Sequence, residues 1–324
     1  MVMNRKSVVF TMIATVLLSV VLLTFLVYTS NKTNVEIQKT NSEIQTLNSF
    51  AKTVNTKYLP AAARLSATQA TKAIIQHIEV TGNYLPSAYL SGIYEDIMLN
   101  EEQWGEHQTY MGEDGTNYTL HSLLNEIKGL GELTGINFTY SNPHAISVSQ
   151  DEPFTFKVTY YIDYNISSND YRTFFYYPNQ KIIAKVPLHN FRDPLRIIEN
   201  QNIGLPPHNV SVRQAFHEVW DKSALIYDID ASAYVASPNA PSFLDRLKPN
   251  PLLRTSEYGI YSFINTQYYT NPQGYTTVDY LYFNEDSYDN TYVNLEGYPT
   301  FFLQQEQLTK YSIFDDGQGG LQGP

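Results

Sequence analysis

The sequence predicts an α+β protein: a single N-terminal transmembrane helix continuing into a long helical stalk, then a β-rich, antiparallel sandwich-like extracellular head. Three observations carry this reading. Residues 8–29 form a run of 22 residues without a charge. From there no Gly or Pro interrupts the chain before Pro60. Further on, Phe154, Phe156, Val158, Tyr160, Ile162, Tyr164 and Ile166 alternate with Thr155, Lys157, Thr159, Tyr161, Asp163 and Asn165, a period of two that belongs to a strand with one buried face.

The apolar run comes first. At 1.5 Å per residue, 22 helical residues reach about 33 Å, enough for a hydrocarbon core of about 30 Å. Arg5 and Lys6 precede the run and the first acidic residue, Glu36, follows it, so the positive-inside rule puts residues 1–7 in the cytoplasm and the bulk of the chain outside the plasma membrane. A cleaved secretory signal is the competing reading, but its apolar core is about 7–15 residues and ends in a small-x-small site. No later stretch is comparable. Apart from Arg5 and Lys6, 19 basic residues face 32 acidic ones, a balance suited to a soluble outer surface.

Residues 30–81 read as the stalk. Ile37, Ile44, Ala51 and Tyr58 fall seven apart, and Leu47 and Val54 follow the second and third by three, which draws one narrow apolar stripe. Such a stripe packs either on its own head or on identical helices of other copies. Ile37, Ile44, Leu47 and Val54 are its candidate self-association residues. Alanines at 61, 62, 63, 67, 70 and 73 favour a second helix over 61–79, with Pro60 in its first turn or at a kink. Residues 82–135 form the helical and loop part of the head, with helices at 89–100 and Leu120–Leu133, the second closing at Gly135. The intervening segment 101–119 reads as an exposed linker.

Residues 136–314 form the β-rich head. Besides 154–166, alternation runs through Ile182, Ala184, Val186 and Leu188, and strands are expected at 209–216, 224–236, 258–269, 275–284 and 300–314, between turns rich in Pro, Gly and Asn. Many short strands at this spacing suggest a sandwich. The tail 315–324, DDGQGGLQGP, reads as disordered.

Composition narrows the chemistry. There is no Cys, which removes disulfides, thiolate metal sites and a Cys nucleophile. The net charge of -11 disfavours a nucleic-acid partner. None of the 7 His has a metal-ligand spacing to another, and the HEVWD run at His217 lacks the second His of the zinc motif. There is no G-x-S-x-G elbow or phosphate loop. Acidic runs at Glu285, Asp286 and Asp289 and at Asp315 and Asp316 do not follow the calcium-loop order. No catalytic residue, metal or cofactor is expected. The 27 Tyr include TFFYYP and TQYYTNPQGYTTVDYLYF, which read either as sheet faces or as sugar- or protein-binding surface. Sequons place candidate glycans at Asn117, Asn137, Asn165 and Asn209; Asn31 also matches but lies close to the bilayer.

The basic leader and apolar helix, RKSVVFTMIATVLLSVVLLTFLV, followed by an unbroken stalk and a β-rich head, resemble a type IV pilin or pseudopilin. That resemblance implies a leader trimmed before the helix and helices packed into a filament core or membrane platform. Lys6 and Ser7 stand where that family's cut has Gly or Ala, and no early Glu follows. ISVSQDEPFTFKVTYYIDYNI, KVPLHNFRDPL, APSFLDRLKPN and YGIYSFI are similar to segments of a loose group of archaeal membrane-anchored surface proteins with no established activity. Together these imply a non-enzymatic single-pass surface protein, structural or adhesive in the envelope or a pilus-like assembly. Its partners would be the lipid bilayer, further copies through the N-terminal helix, and surface glycan. The alternative is an anchored extracellular carbohydrate-binding module or hydrolase.

Overall fold

A computed structural model of the chain describes residues 5–86, 89–100, 102–103, 106–107, 111, 117–169, 173–204, 210–271, 274–284, 286, 288–315 and 321–322; the side chains of residues 5–16 and of the short pairs at 102–107 and 314–322 are not among those described.

Helix α1 (Arg5–Thr53) is 49 residues long and continues through a π-turn (Val54–Tyr58) into α2 (Leu59–Thr81). The π-turn has a cause. Pro60 cannot donate to the helical ladder and its ring crowds the carbonyl four residues back, so the backbone widens there and Leu59 N bonds to Val54 O. The helix therefore passes the proline without ending. Leu17 to Tyr28 carry large apolar side chains exposed on every side of α1. Among the described residues no helix is long and apolar enough to cross a membrane; within the predicted span 8–29, the side chains of 8–16 lie outside the described residues.

From Leu47 onward the rod enters the head. Leu47, Ala51, Val54, Leu59, Ala63, Ala67, Ala70, Ile74 and Ile78 are buried in the main core. The small side chains at 63, 67 and 70 let α2 lie close on the sheet. Helices α3 (Leu90–Asn100) and α4 (Leu120–Leu133) pack beside it; Thr119 caps α4 by accepting from Ser122 N, and Gly135 at φ +74° turns the chain into the sheet. The segment 101–119 is not simply an exposed linker: two-residue strands β1 (Glu102–Gln103) and β2 (Glu106–His107) pair, and Met111 is buried.

The sheet is antiparallel. β5 (Thr155–Ser168) lies at its centre, with β6 (Phe174–Pro187) along one side; β3 (Ile136–Tyr140) and β4 (His144–Glu152) share the other. The alternating residues Phe156, Val158, Tyr160, Ile162, Tyr164 and Ile166 are buried beneath the helices, as the period of two requires.

The sandwich is corrected to a sheet layered with helices. Because α2, α3 and α4 already cover the apolar face, no second sheet is needed to bury it, and none packs there among the described residues. Of the later strand expectations, 300–314 is met in its first residues by a strand over Tyr298–Leu303, while the others hold at most two-residue strands or isolated bridges. Residues 224–236 hold α6 (Lys222–Ala231), which Asp221 caps through Ala224 N, and only the short β7 (Val235–Ala236) beyond it. β7 pairs with β8 (Ile260–Tyr261), and 275–284 contains one helical turn, α8 (Asp279–Tyr282). Residues 259–266 are buried without alternation, so their aromatic and β-branched content reports burial on both sides and not a long strand. The hairpin β9 (Thr291–Leu295) with β10 (Tyr298–Leu303) and α9 (Gln305–Lys310) complete this region around a second apolar cluster, whereas α7 (Phe243–Arg246) and most of α5 (Pro194–Asn202) pack into the main core. Within the tail read as disordered, β11 (Phe314–Asp315) pairs with β12 (Leu321–Gln322).

Candidate functional site

Five short segments, around residues 193–195, 234, 246, 260–262 and 279–280, converge inside the head. Asp193 caps α5, accepting from Leu195 N with one oxygen (3.0 Å), while Pro194 occupies the first helical position. Its other oxygen accepts from Tyr234 Oη (2.7 Å) and from Arg246 Nη1 (2.6 Å). Arg246, on α7, also donates to Asp279 Oδ2 (2.9 Å) and to the Ile260 carbonyl. Asp279 in turn accepts from the backbone and hydroxyl of Ser262 and from Tyr280 N. All three charged side chains are fully buried. Burial alone would lower the Arg246 pKa, but Asp193 and Asp279 outweigh it and raise it, so the guanidinium stays charged. This is a closed structural node in which both terminal nitrogens of Arg246 are paired and only its buried Nε is left without a hydrogen bond. DPL, SFLDRL and GIYSF, three runs visible in the sequence, meet here.

His217 is held differently. Its Nε2 lies 2.7 Å from Asp228 Oδ1, and Asp228 Oδ2 accepts from Tyr311 Oη at 2.6 Å. Trp220 and Tyr227 meet the imidazole edge-on. A His–Asp pair orients an imidazole, but no Ser or Thr hydroxyl bonds to His217 among the described residues, so the nucleophile of a triad is not assembled there.

A polar cavity of about 300 Å³ lies between α5, the end of α6 and the loop after β8. Its lining includes Arg196, Arg213, Asp230, Asn265, Tyr268 and Tyr269. Arg196 is 2% exposed, yet its Nε and Nη1 have no hydrogen-bond partner and it makes no ion pair among the described residues. The Tyr269 ring, centred 5.5 Å from Cζ, is its compensating contact. Asn200 donates to Tyr269 Oη (3.2 Å) and leaves its own buried Oδ1 unpaired. Tyr298 donates to Asp230, and burial with that carboxylate pushes the phenol pKa up to about 12. An adjoining groove of about 640 Å³ shares Arg213 and Ala231 and carries Phe154, Phe216 and Tyr227.

The residues singled out in the sequence are scattered. Of the stripe, Leu47 and Val54 are 2% and 0% exposed in the head's own core, Ile44 is half-buried and Ile37 is 53% exposed. The stripe is thus divided: its C-terminal half packs on its own head, and Ile37 with part of Ile44 remains outside. Asn117 is half-buried and accepts from the Thr119 backbone and hydroxyl; Asn137 is half-buried in β3; Asn165 is exposed in β5; Asn209 lies outside the described residues. Of the acidic runs, Glu285 and Asp316 lie outside the described residues, and no group able to hold a metal forms among the described residues. Arg196, Arg213, Arg246 and Asp279 were missed. A signal existed in two of them: Arg196 interrupts the apolar run Leu195–Ile197–Ile198, and Arg246 sits between Leu244 and Leu247, so each is a charge on a buried helical face.

A comparison of the chain with family models, with curated proteins and with solved structures found no match.

Proposed function

We propose a non-enzymatic, single-pass cell-surface protein, structural or adhesive in the envelope or a pilus-like assembly, with its N-terminal helix in the lipid bilayer and its head outside. The observation that carries this reading is the exposure of Leu17, Leu18, Val20 to Leu23, Phe25, Leu26 and Val27 around this part of α1, with none of the described residues of the head packed on them. A helix apolar on all sides requires an apolar surrounding on all sides, which a bilayer supplies and a one-sided protein groove does not. Polar groups in this segment are already paired: Thr24 donates to Val20 O (3.0 Å) and Thr29 to Phe25 O (2.9 Å). Arg5 and Lys6 then orient the helix, and the stalk holds the acidic head away from the lipid.

The lack of native Cys makes the test direct. Thr255→Cys on the head should react with a membrane-impermeant maleimide on intact cells, and the protein should stay with membranes through alkaline carbonate extraction. Release by carbonate, or labelling only after lysis, would reject the anchored, head-out arrangement.

A further inference from the structure

We propose that the Arg196 cavity binds a carboxylated sugar, one residue of an acidic polysaccharide. A guanidinium with two unpartnered nitrogens, 2% exposed and without a carboxylate in ion-pair range among the described residues, carries a large desolvation cost. One cation–π contact at 5.5 Å offsets part of it. Both nitrogens are closed off from solvent, so a carboxylate held in the cavity offsets the Arg196 charge across the cavity wall and takes its direct hydrogen bonds from the exposed Arg213. The rest of the lining suits a sugar. Tyr268, 66% exposed, provides aromatic surface for C–H faces while Tyr269 is buried against Arg196, Asn265 and Asp230 provide groups for hydroxyls, and exposed Arg213 draws in a negative ligand. Asp230 at the same opening disfavours a doubly charged phosphate. A volume of about 300 Å³ accommodates one monosaccharide, and the adjoining groove, reached past Arg213 and bordered by Phe216 and Tyr227, gives the chain a path onward. The inference is independent of the membrane anchor, because a head of this shape has the cavity wherever it resides.

The test is calorimetric titration of the full-length protein in detergent with trigalacturonate, its fully methyl-esterified form, and inorganic phosphate as competitor. The acidic trimer should bind at least tenfold more tightly than the ester, and more weakly as salt rises. Arg213→Gln and Tyr268→Ala, both at exposed positions, should each weaken it by tenfold or more at unchanged melting temperature, and Arg196→Gln should weaken it as well while shifting the melting temperature of the free protein. Equal affinity for acid and ester, no binding at all, or unaltered binding by both Arg213→Gln and Tyr268→Ala would overturn the assignment. Displacement of the trimer by equimolar phosphate would overturn the sugar in favour of a free oxyanion. None of these failures bears on carbonate extraction, which reads the anchor separately.

Discussion

Arg246 and Asp193, 53 residues apart in the chain, meet at 2.6 Å in the interior of the head, where neither side chain reaches solvent. Asp279 closes the other side of the same guanidinium at 2.9 Å. Two carboxylates around one cation in a dry interior hold only as a set, since each Asp also takes backbone or hydroxyl donors. The node ties α5, α7 and α8 together, and through Asp193 the floor of the Arg196 cavity is fixed by the same helix.

Removing the cation should therefore cost more than removing either anion. Arg246→Met leaves Asp193 and Asp279 buried and facing each other, and a loss of about 3–5 kcal/mol is expected. Urea denaturation of the two proteins measures it; a loss under about 1 kcal/mol would mean the node relaxes around water.

Gly259 is required for close approach. A Cβ there would collide with the carbonyl oxygens of Ala240 and Ser237, and the segment is pinned by Ser237 N to Gly259 O (3.0 Å) and Gly259 N to Ser256 O (2.8 Å). Gly259→Ala should destabilise by about 3 kcal/mol, whereas Gly129→Ala, in the middle of α4 with nothing within 4 Å, should stabilise by about 0.5–1 kcal/mol. Thermal melts of the pair check both signs.

The stalk stripe makes a divided prediction. Leu47→Asp places a carboxylate in the head's core and should destabilise it by about 3–5 kcal/mol. Ile37→Asp, 53% exposed, should leave the melting temperature of the head within a degree or two and alter only assembly, read by light scattering in detergent. Equal melts for both variants would show that residue 47 is not in the core.

Alkaline pH should unfold the head through its tyrosines. Tyr94, Tyr160, Tyr234 and Tyr261 have hydroxyl pKa values raised chiefly by burial, while in the unfolded chain a Tyr ionises near 10. The fold keeps protons that the unfolded chain sheds, so their contribution is intact below about pH 10 and falls as pH rises toward the folded values, by about 1.4 kcal/mol per unit for each ring. Tyrosinate absorbance from these rings should appear together with the loss of circular dichroism. Ionisation that precedes unfolding would contradict their burial.

Much of the first half of the protein was legible. Pro60, the alanine series and the run to Gly135 announced the helices, and Phe154 to Ile166 announced the central strand, because each is a local pattern with one buried side. The second half was not. Ala224 to Ala236 is rich in residues that favour strands but buries Ala224, Leu225, Asp228 and Ile229 at helical spacing with Tyr227 exposed, and Asp221 three residues before Ala224 was the overlooked helix cap; residues 259–266 are buried throughout, so no alternation survives there. The cavity was hinted at only by the Tyr-rich run containing Tyr268 and Tyr269 and by the charge of Arg196 inside an apolar run.

The sequence by itself determined the long N-terminal helix, the helices after it and the alternation of β5, since these depend on neighbours within a few residues. Tertiary structure decided which half of the stalk stripe the head keeps, that helices and not a second sheet cover the apolar face, and which carboxylates meet Arg246. Arg196 is left without one for the same reason: ion pairing in an interior depends on which distant segments arrive within 4 Å, and no local pattern encodes that distance.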